Sequence, residues 1–460
     1  MASKLPAQFH RIWTASAVSS IGDGIYFAAL PLLALTMTHN TVLLGTLEAC
    51  AMLPWLCFGM LGGALVDRLD RRRTMVAADL CRFLLLALVT ALVTAGAADL
   101  YLLFAAAFLL GIGQVFFDTA STALLPELLD RDLDTLQRAN ARLQGTQQAF
   151  GGFVGPPTGS LLFGLGRAVP IFGDALSFLV SSLTIWTLPK SAPKPPQPRG
   201  SLLREAREGA AYLFGNRLLV GLALRPALGN FAFMGANAVL VLFVKQTLHL
   251  GTSAYGVYLT AGAVGALGGS FVAAWLAARL GTGGTLTLTA MVEGVALLGI
   301  GLSPNAWIAG IGEIALGMGI GTTMGVGPAV RQAIVPDHLM GRVAATGRLI
   351  ALCAGPAGAV FGGWLAHVAG LRAPFIVGAG ILMSMTVVAA RLTSNKRIEA
   401  ALAEAAERRE REAAEALAAS SQAADAPAVS GQAVDAPAVS GQAADAPAAS
   451  SQAADVLAMA

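Results

Sequence analysis

The stretch Gly59-Met-Leu-Gly-Gly63-Ala-Leu-Val-Asp67-Arg68-Leu-Asp70-Arg71-Arg72-Arg73 sets the terms for the whole chain. An apolar, glycine-rich run passes without a break into an acid and then a burst of arginines. Its glycines let a neighbouring helix come close, backbone to backbone. The arginines cannot be left in hydrocarbon, so they hold this end of the run on the cytoplasmic side of a bilayer. Read as a bare loop, the stretch is only a topological marker.

Working outward, composition points the same way. Of 460 residues, 55% are hydrophobic and 12% charged, against roughly 25% charged in soluble domains. So few charges could not cover a water-soluble surface, and the chain reads as an integral membrane protein. The formal net charge of +3 says less than where the charges sit. Cys50, Cys57, Cys81 and Cys353 lie inside apolar runs without metal-ligand spacing and read as small core residues. The first apolar run is too long for a signal peptide and reads as a retained helix.

Apolar runs of spanning length recur, each near the roughly 20 residues a helix needs. They fall at Ile12–Met37, Val42–Val66, Thr74–Ala97, Leu100–Ala123, Ala141–Leu165 and Ala168–Leu188. After a polar stretch come Leu218–Val244, Thr252–Ala278, Thr285–Leu302, Ala306–Val330, Val343–Val368 and Pro374–Leu392. That makes an all-α membrane protein of twelve spans. Basic residues concentrate at the N-terminus, in alternate loops and in the tail, whereas the other loops hold only Arg167, Lys245 and Arg372. This partition puts both termini in the cytoplasm.

The expected organisation is a six-helix half over 1–188, a cytoplasmic linker over 189–217, a second half over 218–392 and a tail over 393–460. The linker is proline-rich and semi-rigid at Pro189–Arg199, then amphipathic at Leu202–Asn216. The halves are weakly similar. Leu110-Gly-Ile-Gly113 matches Leu316-Gly-Met-Gly319, Gly155-Pro156 matches Gly355-Pro356, and Leu125-Pro126-Glu127 matches Val335-Pro336-Asp337. The central stretch decays in the second half to Arg279-Leu-Gly281. In the tail, Ile398–Ala419 reads as a solvated helix. From Ser420 a ten-residue unit repeats with Asp425, Asp435, Asp445 and Asp455 in register, has almost nothing to bury, and is expected to be disordered.

The arrangement G-x-L-x-D-R-x-x-R-R at Gly63, Asp67, Arg68, Arg71 and Arg72 resembles the signature after the second helix of major facilitator superfamily transporters. Asp70 stands where the common pattern has glycine. Gly151-Gly-Phe-Val-Gly155-Pro156-Pro-Thr-Gly159 resembles the G-x-x-x-G-P-x-x-G-G motif of exporters in that superfamily, with Ser160 replacing the last glycine. With Leu124-Leu-Pro126-Glu127 and Arg138-Ala-Asn140-Ala, the likeness is nearest to the drug and siderophore efflux branch. It covers about residues 10–392. The resemblance implies two six-helix repeats rocking around a midplane site lined by the first, fourth, seventh and tenth spans. It also makes Gly63, Asp67, Arg68, Arg71 and Arg72 a gate.

An acid inside a span is costly and points to the bundle interior or a wet cavity. Asp23, in Ser20-Ile-Gly22-Asp23-Gly24, either exchanges a proton as access alternates or pairs structurally. Asp118 is the second proton-coupling candidate, and it too can be read as a cap or ion-pair partner. Glu48, Arg225 and Glu313 are cavity candidates, although Arg225 also reads as an interface anchor and the two acids could reach water. Asp79 and Arg82, three residues apart on one face, are expected to pair near the arginine loop. Asp174 and Glu293 fall on the third helix of a triplet and are expected to stay clear of substrate.

No phosphate-binding loop and no metal-ligand spacing occur, so neither ATP hydrolysis, a resident metal nor any other enzyme chemistry is expected. The expectation is a monomeric transporter of the bacterial plasma membrane that needs no cofactor, is driven by a proton gradient and exports a small amphiphile. Its partners are that compound and the bilayer, with no nucleic acid. An importer, an uncoupled facilitator or a non-transporting scaffold remain the alternatives.

Overall fold

A computed structural model of the chain describes residues 5–66, 69–129, 133–189 and 202–425. Among these every regular element is helical. In the first half the helices are α1 (Ala7–Leu35), α2 (Thr41–Val66), α3 (Arg71–Thr94) and α4 (Leu100–Leu128). A fifth rod follows as α5 (Leu133–Gln147), a π-helical stretch (Gln148–Val154) and α6 (Gly155–Leu165), and then α7 (Val169–Trp186). The linker helix is α8 (Leu202–Gly215). The second half holds α9 (Arg217–Leu242), α10 (Thr252–Leu302), α11 (Ala306–Ile334), α12 (Asp337–Ala369) and α13 (Ala373–Leu392), and α14 (Asn395–Asp425) follows.

Several helix starts are written in the local sequence. Asp99 accepts from Leu102 N at 2.8 Å, Asn305 from Ile308 N at 3.0 Å, and Asn216 from Leu218 N at 2.9 Å. Each occupies one of the amide groups that a helix N-terminus leaves without a partner. Packing is then largely between helices distant in sequence: α1 lies against α7, α2 against α4 and α12, and α9 against α12 and α13.

Ten helices among the described residues are long and apolar enough to cross a membrane. Two differences separate this from the twelve expected runs. The fifth run is broken by the π-helical stretch and begins in the polar α5. The eighth and ninth runs join into α10, a 51-residue helix interrupted at Gly281, whose φ of 73° and ψ of 164° lie outside helical geometry. A positive φ of this kind suits glycine. The side chain of Asn395 closes the break: Oδ1 accepts from Gly283 N at 2.8 Å and Gly284 N at 3.2 Å, and Nδ2 donates to Leu280 O at 2.7 Å.

The outer surface is strongly apolar, with Tyr101, Leu165, Phe271 and Trp307 each more than three-quarters exposed. Such faces are stable only when lipid covers them. Tyr101 and Trp307 sit at the starts of α4 and α11, where amphipathic rings favour the membrane–water boundary. Cys57, Cys81 and Cys353 are exposed, and only Cys50 is half-buried. The expectation of four core cysteines is corrected: the helix faces that carry three of them are turned outward.

The amphipathic α8 lies against α12 through an ion pair between Glu208 and Arg342 at 2.6 Å and through Leu213, which joins a core cluster with Leu218 and Val343. The helix expected at Ile398–Ala419 lies within α14, whose exposed surface carries ion pairs Arg411–Glu407 at 3.6 Å and Arg408–Glu412 at 4.0 Å. The proline-rich stretch from 190 and the repeats from 426 onward lie outside the described residues, whereas 420–425, expected to be disordered with the first repeat, continue α14 as helix.

A central cavity flanked by two buried charge clusters

A cavity of about 1240 Å³ lies between the two halves, walled by α2, α4, α9, α10, α11, α12 and α13. Its contributors cluster toward the end of the bundle from which α1 starts: Trp55 late in α2, Asp118 late in α4, Arg225 early in α9, Arg331 late in α11 and Arg348 early in α12. The opposite end is closed by contacts between the halves. Thr41 Oγ1 donates to Gly363 O at 2.8 Å and Asn237 Nδ2 to Glu48 Oε1 at 3.0 Å. Ser160 Oγ donates to Ser253 O at 3.4 Å. Around them a continuous apolar cluster runs through Leu33, Leu44, Val239, Phe243 and Tyr255.

In the first half, charge is organised around Arg82. Its guanidinium forms an ion pair with Asp79 and donates to Gln114 Oε1, and Gln114 Nε2 donates to Asp118 Oδ2 at 3.0 Å. Two rings cover the cation, Phe178 at 4.1 Å and Phe117 at 4.9 Å, an attraction that offsets part of the cost of burying it. Asp23 and Asp174 lie within electrostatic reach of Arg82. The expected Asp79–Arg82 pair therefore exists, but not near the arginine loop. Arg82 is 11 residues into α3 from Arg71, a helical rise of roughly 16 Å toward the middle of the bundle.

In the second half Arg225 is the centre. Its Nη2 donates to Thr289 Oγ1 at 2.6 Å and Glu293 Oε1 at 3.2 Å, and its Nε to Leu286 O at 3.3 Å. Thr323 Oγ1 adds a contact to Glu293 Oε1 at 3.4 Å. Arg225 is 6% exposed and Glu293 5% exposed, yet both line the cavity. Two expectations are corrected here. Arg225 is turned inward as an ion-pair partner and is no interface anchor. Glu293 faces the cavity although its span was expected to be peripheral, because α10 aims that face between α9 and α11.

The matched glycines explain how both clusters fit. A Cβ on Gly113 would lie 2.7 Å from Arg82 Cγ, and one on Gly319 would lie 2.5 Å from Glu293 Cγ. In each half the second glycine of the repeated Leu-Gly-x-Gly unit clears space for a charged side chain from the third span.

A second cavity of about 400 Å³ adjoins the first-half cluster and is lined by Asp23, Asp118, Gln114, Gln144 and Gln147, among others. Among the described residues, Asp118 alone of the acids lines both cavities. The glycines beside Asp23 serve helix contact. A Cβ on Gly22 would lie 2.1 Å from Ser177 Oγ on α7, and one on Gly24 would lie 2.4 Å from Gly151 O.

At the opening stretch, Asp67 and Arg68 lie outside the described residues, as does the side-chain environment of Gly63. Arg71 and Arg72 are buried, each 8% exposed. Arg71 pairs with Glu127 of α4 and donates to Ala123 O at 3.0 Å. Arg72 donates to Leu188 O at 2.5 Å and stacks over Trp186 at 5.0 Å, meeting the carbonyl end of α7, where a cation is favoured. Asp70, the departure from the common pattern, is the N-cap of α3 and accepts from Arg73 N at 2.9 Å.

The exporter-like motif joins three helices. A Cβ on Gly155 would lie 2.5 Å from Gly24 Cα, and one on Gly159 would lie 2.3 Å from Ile25 O. On the other side of α6, Pro156 and the fully buried Ser160 seat Gly256 of α10. Of the remaining candidates, Glu313 accepts from Tyr258 Oη at 3.4 Å. Glu48 and Glu313 belong to the closed end, and neither lines the two cavities described. Sequence reading did not single out Arg331 and Arg348. Their signal was weak, since both fall near span ends where arginines serve topology.

The chain resembles known transporters along most of its length. The family model described as transmembrane secretion effector matches residues 4–423. The chain is 29% identical over 398 residues to the multidrug efflux pump Tap of Mycolicibacterium fortuitum, covering 84% of this chain and 96% of that protein. It is 24% identical to macrolide efflux protein A of Streptococcus pyogenes, covering 85% and 97%. Against the enterobactin exporter EntS of Shigella boydii serotype 4 (strain Sb227) it is 29% identical, covering 73% and 79%. Among solved structures, an inward-facing bacterial homologue of the iron transporter ferroportin gives a TM-score of 0.69 at 14% identity, covering 85% of this chain and all (100%) of that one. The nucleoside transporter NupG gives 0.65 at 12% identity, covering 85% and 100%. The chain is a multi-pass membrane transporter, not an enzyme, and belongs to the major facilitator superfamily in the family of transmembrane secretion effectors.

Proposed function

We propose that this chain is a proton-coupled exporter of small amphiphilic compounds in a bacterial plasma membrane, working by alternating access as a monomer. The observation that carries the reading is the cavity itself: apolar walls, a few polar groups, and an opening toward one end while the halves are sealed at the other. The efflux names of the relatives support the direction. In this reading α5 to α6 form the fifth span and Gly281 separates the eighth from the ninth. The chain then holds twelve spans in two halves, 1–188 and 218–392. The linker 189–217, the tail 393–460 and both termini are cytoplasmic, and the cavity faces the cytoplasm.

The first-half cluster is the proton-handling element. A carboxyl that is protonated in one access state and ionised in the other couples proton flow to substrate movement through its differential stability. Asp23 lines the polar side cavity and Asp118 lines both cavities, so a proton bound at Asp118 is sensed in the substrate space. Gly63, Asp67, Arg68, Arg71 and Arg72 act as the gate, with Arg71 and Arg72 holding α3, α4 and α7 as one body. No cofactor takes part; the proton gradient drives the cycle.

Expression of the chain in a pump-deficient bacterium should lower accumulation of a fluorescent amphiphile, and a protonophore should restore it. Accumulation that rises on expression, or that stays low under the protonophore, contradicts the reading.

A further inference from the structure

Among the described residues, five ionisable side chains line the central cavity: Asp118, Arg225, Glu293, Arg331 and Arg348. Arg225 and Glu293 satisfy each other at 3.2 Å. Asp118 accepts from Gln114 at 3.0 Å and lies within electrostatic reach of Arg82 and Arg348. Among the described residues, Arg331 has no side-chain hydrogen bond or ion pair, and its Nε–H is buried without an acceptor. A Cβ on Gly347 would lie 3.7 Å from Arg331 Nη1, so its guanidinium rests beside the residue that precedes Arg348. Arg348 is exposed to the cavity and stacks over Trp55, from the other half, at 5.5 Å. Two guanidinium groups, neither held by a hydrogen bond or ion pair among the described residues, therefore stand beside mostly apolar walls.

From this we infer that the cavity selects amphiphiles carrying an anionic group, a carboxylate, sulfonate or phosphate, which Arg331 and Arg348 clamp while the apolar body lies against Trp55, Phe233 and Met324. The inference rests on the central cavity being the transport site and deepens that reading. A guanidinium presents paired N–H donors that match such anions two at a time. The low-dielectric wall strengthens the attraction. A cationic amphiphile of the same shape meets both arginines and has only Asp118 in its favour, an acid already engaged by Gln114. The Arg348–Trp55 contact spans the two halves, so an anion held there touches both sides of the opening.

The test uses the full chain in phosphatidylcholine vesicles and three dansyl probes with one apolar body and a carboxylate, an amide or an amine terminus. The carboxylate probe should bind roughly tenfold more tightly than the amine, as expected for one desolvated charge contact. Arg331→Gln and Arg348→Gln should each erase most of that preference while eluting as monodisperse protein, and Arg331→Lys should keep part of it. Equal or tighter binding of the amine, absence of carboxylate binding, or a preference indifferent to both glutamine variants overturns the assignment. Binding should survive addition of phosphatidylglycerol; displacement by that lipid would overturn a soluble ligand in favour of a headgroup. Failure of the export reading looks different: the carboxylate probe would bind with this selectivity and yet not be carried against its gradient.

Discussion

Each half holds a buried arginine cluster, and the clusters differ in how charge is shared. In the first half, one guanidinium serves Asp79 and Gln114, with Asp118, Asp23 and Asp174 gathered within reach. In the second, Arg225 meets one acid, Glu293, and its other donors go to Thr289 and a backbone carbonyl. A surplus of acids can trade protons without losing the ion pair. A one-to-one pair among hydroxyls is rigid and gives the cavity wall a fixed shape. Both clusters keep a glycine beside a charged stem, Gly113 and Gly319, and what differs is the number of acids around the arginine.

The comparison breaks most visibly if Arg82 is removed. Arg82→Ala leaves Asp79 buried without its cation, a loss of about 3–5 kcal/mol, and the variant should express poorly. The double change Asp79→Asn with Arg82→Gln should recover most of the yield, as read by size-exclusion of the detergent-solubilised protein. In the second half, Glu293→Gln keeps the Thr289 and Leu286 contacts of Arg225 and should cost less, about 1–3 kcal/mol. Equal losses in the two halves would erase the distinction.

A milder probe enters through the glycines. Gly113→Ala and Gly319→Ala each push a methyl group into the stem of the charged side chain and should lower stability by about 1–3 kcal/mol. Both should be felt alike, because the space serves the same purpose in both halves. A melting temperature unmoved by either change would show that the clearance is incidental.

These two positions also show what the sequence could tell. The Leu-Gly-x-Gly repeat is legible as a repeat, and the spans are legible because apolar runs of spanning length alternate with charged and polar stretches. Which side chain fills the space beside Gly113 is not legible. Arg82 reaches Gln114 from another helix, and that meeting depends on how α3 and α4 are rotated and packed. Glu293 was misplaced for the same reason: its span is identifiable, but the direction of its face is a packing outcome. Arg331 and Arg348 read as topology because they sit near span ends. Only the fold shows that the wall of a cavity passes through them.

The smallest expected effect concerns the two breaks at the ends of the repeated units. The turn into α3 is capped locally by Asp70, whereas the break at Gly281 is capped from 112 residues away by Asn395. Asp70→Ala and Asn395→Ala should each cost about 1 kcal/mol, the usual worth of a helix cap, and leave transport intact. A large transport defect in only one of them would show that its turn moves during the cycle.

The central claim, that the first-half acids carry the coupled proton, is tested most directly by comparing two transport modes of Asp23→Asn and Asp118→Asn in proteoliposomes. Uptake driven by a pH gradient should fall to the level of protein-free vesicles in both variants, while counterflow, which needs no net proton movement, persists. Uphill transport by both variants at the wild-type rate would contradict the claim and leave the cluster a structural device.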